Sequence, residues 1–203
     1  MKLAGAVMAG GQSRRMGFDK ALLAWEGEPL WARQCRILAA AGAEPVAIVR
    51  RTDQSALGAV CWRDLRTDCG PLAGLETALI GARDAGASRV AVLAVDMPDL
   101  KADWFRWLLA TAPEGMAART EAHHEPLAAI YPVAALPVIQ SRLDAGLLSL
   151  QALLDVLVQN GLMASFGIPT AFLPQIRSVN TVEACPSIIA TLASPPRAPD
   201  STK

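Results

Sequence analysis

A chain of 203 residues fits one α/β domain, and a fold of that size buries roughly 70% of the surface its unfolded chain exposes. Nineteen basic and nineteen acidic residues cancel, so the chain lacks the long-range field that draws nucleic-acid binders to phosphate backbones. Hydrophobic residues make up 52%, which calls for a large core and a check for membrane spans. The longest uncharged run, Val156 to Ile176, is long enough to cross a bilayer, but Gln159, Asn160, two glycines and two prolines cut it into turn-separated pieces. A strand and a glycine turn follow the N-terminus at once, leaving no room for an export signal. The expectation is a cytoplasmic protein with no membrane partner, whose widely spaced Cys35, Cys61, Cys69 and Cys185 are reduced thiols.

In chain order, Leu3 to Met8 is a short apolar run ending in glycines, the pattern of a buried strand. Leu30 to Ala41 has helical spacing with Gly42 as its stop. Pro45 to Val49 predicts a second strand and Ala59 to Trp62 a shorter third. Pro71 to Ala85 predicts a helix, with Pro71 in its first turn and Gly86 just beyond its end. Val90 to Val95 is continuously apolar, as in a strand covered on both faces of a parallel sheet, and stops at Asp96-Met97-Pro98. Asp103 to Thr111 is helical again. Further on come a strand at Leu127 to Tyr131, helices at Val133 to Leu143 and Leu150 to Val158, and a closing helix at Thr181 to Leu192. Alternating strands and helices imply a parallel sheet with right-handed crossovers. The division expected is a single domain over 1–193 and a disordered polar tail over 194–203.

Open α/β sheets bind ligands beyond the carboxyl ends of their strands. Two such ends carry loaded residues: the segment Ala9 to Lys20 after the first strand, and Asp96 after the central one. Gly10 and Gly11 let backbone N–H groups approach a phosphate and form an anion-binding nest, while Arg15 and Lys20 bring fixed positive charge. A P-loop is excluded because Phe18 follows Gly17 and no hydroxyl follows Lys20; the dinucleotide fingerprint is absent as well. Asp96 suits Mg²⁺ at a strand's carboxyl end, against the competing reading of a helix N-cap. No Ser/His/Asp or Cys/His arrangement is expected. At least one of His123 and His124 reads as solvent-exposed, and the five tryptophans as packing residues.

The segment Ala9 to Lys20 resembles the nucleotidyltransferase pattern A-G-G-x-S-x-R-M-G-x-D-K at every fixed position. Cys69 to Leu75 resembles that family's G-P-L-A-G segment, Val95 to Pro98 its metal-binding D-x-P turn, and Ser178 to Glu183 its closing N-x-N-T-P-E/D segment. Ser178 and Val182 depart from that last pattern, and Val49-Arg50-Arg51 stands where the family often has a nucleotide-contacting asparagine. The molybdenum cofactor guanylyltransferases match best, over about residues 3 to 190.

The resemblance implies a Rossmann-like three-layer α/β nucleotidyltransferase domain with a mostly parallel sheet. It implies transfer of GMP from GTP to the terminal phosphate of molybdopterin, free or molybdenum-loaded, with release of pyrophosphate. Molybdoenzymes or molybdenum-insertion proteins would be the protein partners. It assigns catalysis to Arg15, Lys20 and Asp96, and nucleotide contacts to Met8, Ala9, Gly10, Gly11, Lys20, Asp64, Gly70, Pro71, Leu72, Ala73, Gly74 and Asp96. Asp68 rivals Asp64 as the upstream aspartate. Mg²⁺ would lie on Asp96, with Asn180 either its second protein contact or half of a capping box with Glu183. The alternatives are the sister cytidylyltransferase, which usually has alanine at Gly11 and lacks G-P-L-A-G, a sugar-phosphate nucleotidyltransferase, and a silent nucleotide-binding escort for molybdoenzymes.

Overall fold

The computed structural model describes residues 1–11, 19–58 and 60–179. Its elements are β1 (Leu3–Met8), a short hairpin of β2 (Ala24–Trp25) and β3 (Glu28–Pro29), α1 (Leu30–Ala40), β4 (Val46–Arg50), β5 (Cys61–Arg63), α2 (Gly70–Asp84), β6 (Arg89–Ala94), α3 (Ala102–Thr111), β7 (Met116–Arg119), β8 (Ala128–Pro132), α4 (Leu136–Asp144), α5 (Leu150–Gln159) and β9 (Ala164–Gly167). One sheet runs β5-β4-β1-β6-β8-β7-β9. Its pairs are parallel except β6 with β8 and β8 with β7, so β8 alone opposes the rest.

Period-2 alternation sorts each central strand onto two cores. Leu3 and Val7 of β1, with Ala91 and Leu93 of β6, face the layer of α1 and α3. Ala4 and Ala6, with Val90 and Val92, face the layer of α2, α4 and α5. The result is three layers, helices over both faces of the sheet. Close helix packing requires Gly5: a Cβ there would lie 3.1 Å from Ala43 Cβ and 3.2 Å from Leu38 Cβ.

The expected helices form, with instructive shifts. The helix expected at Val133 begins as a 3-10 turn over Val133–Ala135 and becomes α4 only at Leu136, because Pro137 is tolerated only in a helix's first turn. The uncharged run Val156 to Ile176 divides into the end of α5, β9 and a 3-10 turn over Thr170–Gln175. No helix among the described residues is long and apolar enough to cross a membrane. The closing helix expected at Thr181 to Leu192, the tail and the boundary at residue 193 lie outside the described residues.

Tryptophans pack, as expected. Trp104 is fully buried, with Trp107 and Phe172 stacked around it at ring separations of 5.3 to 5.5 Å. Trp62 lies across α2 at Gly81, where a Cβ would come within 2.4 Å of the ring. Gly81→Ala gains about 1 kcal/mol in helix propensity. The atoms met are Cδ2, Cε2 and Cε3 of a rigid ring carried by β5, and overpacking of this kind costs about 1–3 kcal/mol. The expected net result is a melting temperature lower by several degrees, measured calorimetrically, with the loss cancelled when Trp62→Leu is added. An unchanged melting temperature for the single variant would refute this contact.

Candidate functional site

The carboxyl ends of β1, β4, β5 and β6 open on one edge of the sheet, where a cleft of about 850 Å³ lies. Met8, Ala9, Gly10 and Gly11 form one wall, Asp64, Gly70, Pro71 and Gly74 another, and Lys20 and Asp96 lie between them. The structure thus brings together most of the residues expected from the sequence. Two it does not: Leu72 and Ala73 are buried and line no part of the cleft. The motif is contiguous in sequence, but its 3.6-residue period turns Leu72 into the core while Gly70, Pro71 and Gly74 face the opening. Arg15 and Asn180 lie outside the described residues.

Asp96 lies one residue beyond β6, after Val95, and caps no helix, since α3 starts at Ala102 behind Lys101. Lys20 Nζ lies 3.6 Å from Asp96 Oδ2. Burial raises the Asp96 carboxyl above the usual aspartate range, and the Lys20 charge pulls the other way. A closing strand of contacts ties the pair together: Lys20 Nζ donates to the Val179 carbonyl at 3.2 Å, and the Val179 N–H donates to the Asp96 carbonyl at 2.8 Å. Residue 179 therefore reaches the same edge as the two strand ends, the last described position before Asn180.

Sequence reasoning missed what holds the Asp96 turn from behind. Gln34 of α1 is fully buried, and its Nε2 donates to the carbonyls of Ala94 at 3.2 Å and Met97 at 2.9 Å. Arg33 Nε adds a bond to the Pro98 carbonyl at 2.8 Å. The available signal was a polar residue four positions after Leu30 on the apolar face of an amphipathic helix.

Asp64 sits just past β5, half-buried between the two glycine segments. A Cβ on Gly10 would approach its Oδ2 to 3.2 Å; one on Gly74 would meet Met8 Cε at 2.6 Å and Asp64 Oδ1 at 3.5 Å. Glycine at position 10 gives the carboxylate its room, and glycine at 74 gives room to Met8. Its Oδ1 is buried with no hydrogen-bond donor among the described residues. Burial raises its carboxyl, opposed by the Arg51 guanidinium and by a hydrogen bond with the Thr77 side chain. The rival Asp68 also lines the cleft but is exposed, with φ of 57°. Gly70, with φ of 60°, opens α2 in the left-handed region that favours glycine. At Gly11 a Cβ would meet no atom of the described residues within 4 Å.

The strand end after β4 divides its two arginines. Arg51 lines the cleft and pairs with Asp53; Arg50 is buried behind it and pairs with Asp19. Arg66, also at the cleft, bridges buried Glu76 of α2 at 2.9 Å and Asp144 of α4 at 2.7 Å, tying down the loop that carries Asp64. Among the described residues the lining carries Asp19, Asp53, Asp64, Asp68 and Asp96 against Lys20, Arg51 and Arg66. No group of three or more His, Cys, Asp or Glu converges as a ready metal cage among those residues. An acid-rich cleft with one well-placed carboxylate suits Mg²⁺, which is usually held by one or two carboxylates plus substrate phosphates.

One expectation needs correction. A Ser/His/Asp arrangement does exist: His124 Nε2 lies 3.2 Å from Asp155 Oδ1, and His124 Nδ1 lies 3.1 Å from Ser165 Oγ. Its members come from a loop, α5 and β9, which no local pattern connects. None of the three lines the cleft, and the Asp155 side chain is 61% exposed, so the cluster pins the loop to α5 and β9. His123, as expected, is exposed. Cys35, Cys61 and Cys69 are free thiols, while Cys185 lies outside the described residues.

A family model described as the MobA-like NTP transferase domain matches residues 5–160. The "Probable molybdenum cofactor guanylyltransferase" of Opitutus terrae is 49% identical over 173 residues, covering 82% of this chain and 85% of that protein. Its namesake from Deinococcus radiodurans is 40% identical over 151 residues, covering 72% and 76%. Among solved structures, the molybdopterin-guanine dinucleotide biosynthesis protein A of Archaeoglobus fulgidus superposes with a TM-score of 0.64. That alignment covers 95% of this chain and 98% of that one at 20% identity, a likeness of fold.

Proposed function

The chain belongs to the MobA-like NTP transferase family, and on that premise we propose that it transfers GMP from GTP to the terminal phosphate of molybdopterin, making the guanine dinucleotide cofactor. The observation that carries the reading is the Lys20–Asp96 pair, 3.6 Å apart, beside the glycine turn Gly10-Gly11 in one cleft. Nucleotidyl transfer needs little covalent help from a protein, because the attacking oxygen already belongs to a phosphate. That oxygen forms a bond to the GTP α-phosphorus in line with the bond that breaks, and pyrophosphate leaves with the electron pair. The protein's work is positioning and charge neutralisation.

Gly10 and Gly11 N–H groups and Lys20 serve the triphosphate, with Arg15, assigned by the resemblance, adding a second charge. The α2 amino end, opening at Gly70, turns its positive pole toward the same space. Asp96 would hold Mg²⁺, with Asn180 assigned by the resemblance as its second contact; the ion would neutralise charge on the phosphates. Asp64, in the cleft lining, would supply the acceptor that guanine requires.

The test is pyrophosphate release by purified protein with molybdopterin and each of GTP, CTP, ATP and UTP. GTP should give rapid, Mg²⁺-dependent release that requires molybdopterin. Nucleotide binding with no release from any of the four would overturn the enzymatic reading in favour of an escort.

A further inference from the structure

We infer that Arg50 is a positioning residue for this transfer, holding Lys20 in place through Asp19; the inference rests on the reaction proposed above. Arg50 ends β4, 1% exposed, on the strand face it shares with Ile48. Its Nη2 donates to Asp19 Oδ2, while Nε and Nη1 are buried with no acceptor among the described residues. Taking a guanidinium out of water costs several kcal/mol, and one carboxylate with two N–H groups unmatched does not repay it in full. An apolar side chain would fill this place at lower cost to the fold, so stability does not account for arginine.

What lies beyond Asp19 does. The other oxygen, Oδ1, accepts the Ala21 N–H at 3.0 Å and caps the 3-10 turn Lys20–Leu22. One carboxylate is thus gripped from two sides, by the end of β4 and by the turn whose first residue is Lys20. The ammonium that this turn presents faces Asp96. Sheet, guanidinium, carboxylate, turn and ammonium form one chain of contacts, which fixes where the Lys20 charge falls relative to the end of β6. Without Arg50 the cap persists, but the turn loses its tie to the sheet.

The experiment is a double-mutant cycle between Arg50→Met and Lys20→Ala, read as kcat, KM for GTP and melting temperature. A small misplacement of a catalytic group costs about 10²-fold, so Arg50→Met should lower kcat by about 10- to 100-fold with KM for GTP little changed. In the Lys20→Ala background Arg50→Met should cost nothing further, because the group it positions is gone. Arg50→Lys should recover part of the loss. If Arg50→Met does not fold, Asp19→Asn enters the same cycle, since it can keep an acceptor for Ala21 while removing the charge on the other side. Equal losses in both backgrounds, or an unchanged kcat, on an active wild type would overturn the role of Arg50 alone. A wild type that releases no pyrophosphate from GTP would overturn the reaction itself, a result visible before any variant is made.

Discussion

Asp96→Asn should cut turnover by about 10²–10³-fold, roughly 3–4 kcal/mol of lost transition-state stabilisation. The substitution preserves the shape of a turn that Gln34 and Arg33 hold from behind, so it removes charge and little else. Lys20 would then face an amide, and Mg²⁺ would lose its carboxylate. The measurement is kcat at saturating GTP and Mg²⁺, with GTP binding followed separately. Near-normal turnover would sink the assignment of Asp96.

The same carboxyl sets an expectation for pH. In the ion-free protein burial raises it above the ordinary aspartate range and Lys20 works against that rise, so the anion that would take up Mg²⁺ is lost as pH falls through a value higher than for an exposed aspartate. Removing the ammonium with Lys20→Met takes away the opposing effect and should move the acid limb of Mg²⁺ affinity, titrated without nucleotide, further upward. A limb that stayed put or moved down would mean that another group governs it.

How much of this was legible in the sequence depended on whether the signal was local. β1 was readable to the residue because a six-residue apolar run meets glycine at once, and β6 to within one residue at each end because an apolar run stops at aspartate. β7 and β9 were not readable: Met116-Ala117-Ala118-Arg119 and Ala164-Ser165-Phe166-Gly167 carry neither alternation nor β-branched residues. They are strands because the sheet extends past β8, which is tertiary context overriding weak propensity. Lys20 and Asp96 could be proposed as partners because each follows a strand whose carboxyl end must open on the same edge. Arg50 with Asp19 and His124 with Asp155 and Ser165 could not, because nothing local links positions that meet only after the chain has folded. Leu72 and Ala73 turn away from the cleft for the converse reason: a motif that is contiguous in sequence winds around a helix.

Choice of base is the step on which the particular reaction depends. Guanine presents two donors, N1–H and the N2 amine, so a selective site must offer acceptors. Asp64 is the proposed acceptor: its Oδ1 is buried with no donor among the described residues, and its Oδ2 lies against Gly10. Burial makes the ionised form costly in the empty cleft, and a pair of N–H donors from the base would return that cost on binding. Cytosine offers no matching pair, leaving Oδ1 desolvated and without a donor. Sites built to hydrogen-bond a polar edge reject ligands that lack it by about 10⁴-fold, and a preference of that order for GTP over CTP in kcat/KM is expected. Asp64→Ala removes the acceptor and also the penalty on the wrong base, so it should erode the preference far more than it slows GTP at saturation. Asp68, exposed at the rim, should be almost neutral when changed to alanine. Should Asp68→Ala collapse the preference while Asp64→Ala leaves it intact, the acceptor has been placed one turn of the loop too early. CTP as the better substrate would instead move the chain to the cytidylyltransferase reaction, with Gly11 and the Gly70 to Gly74 segment no longer evidence for guanine.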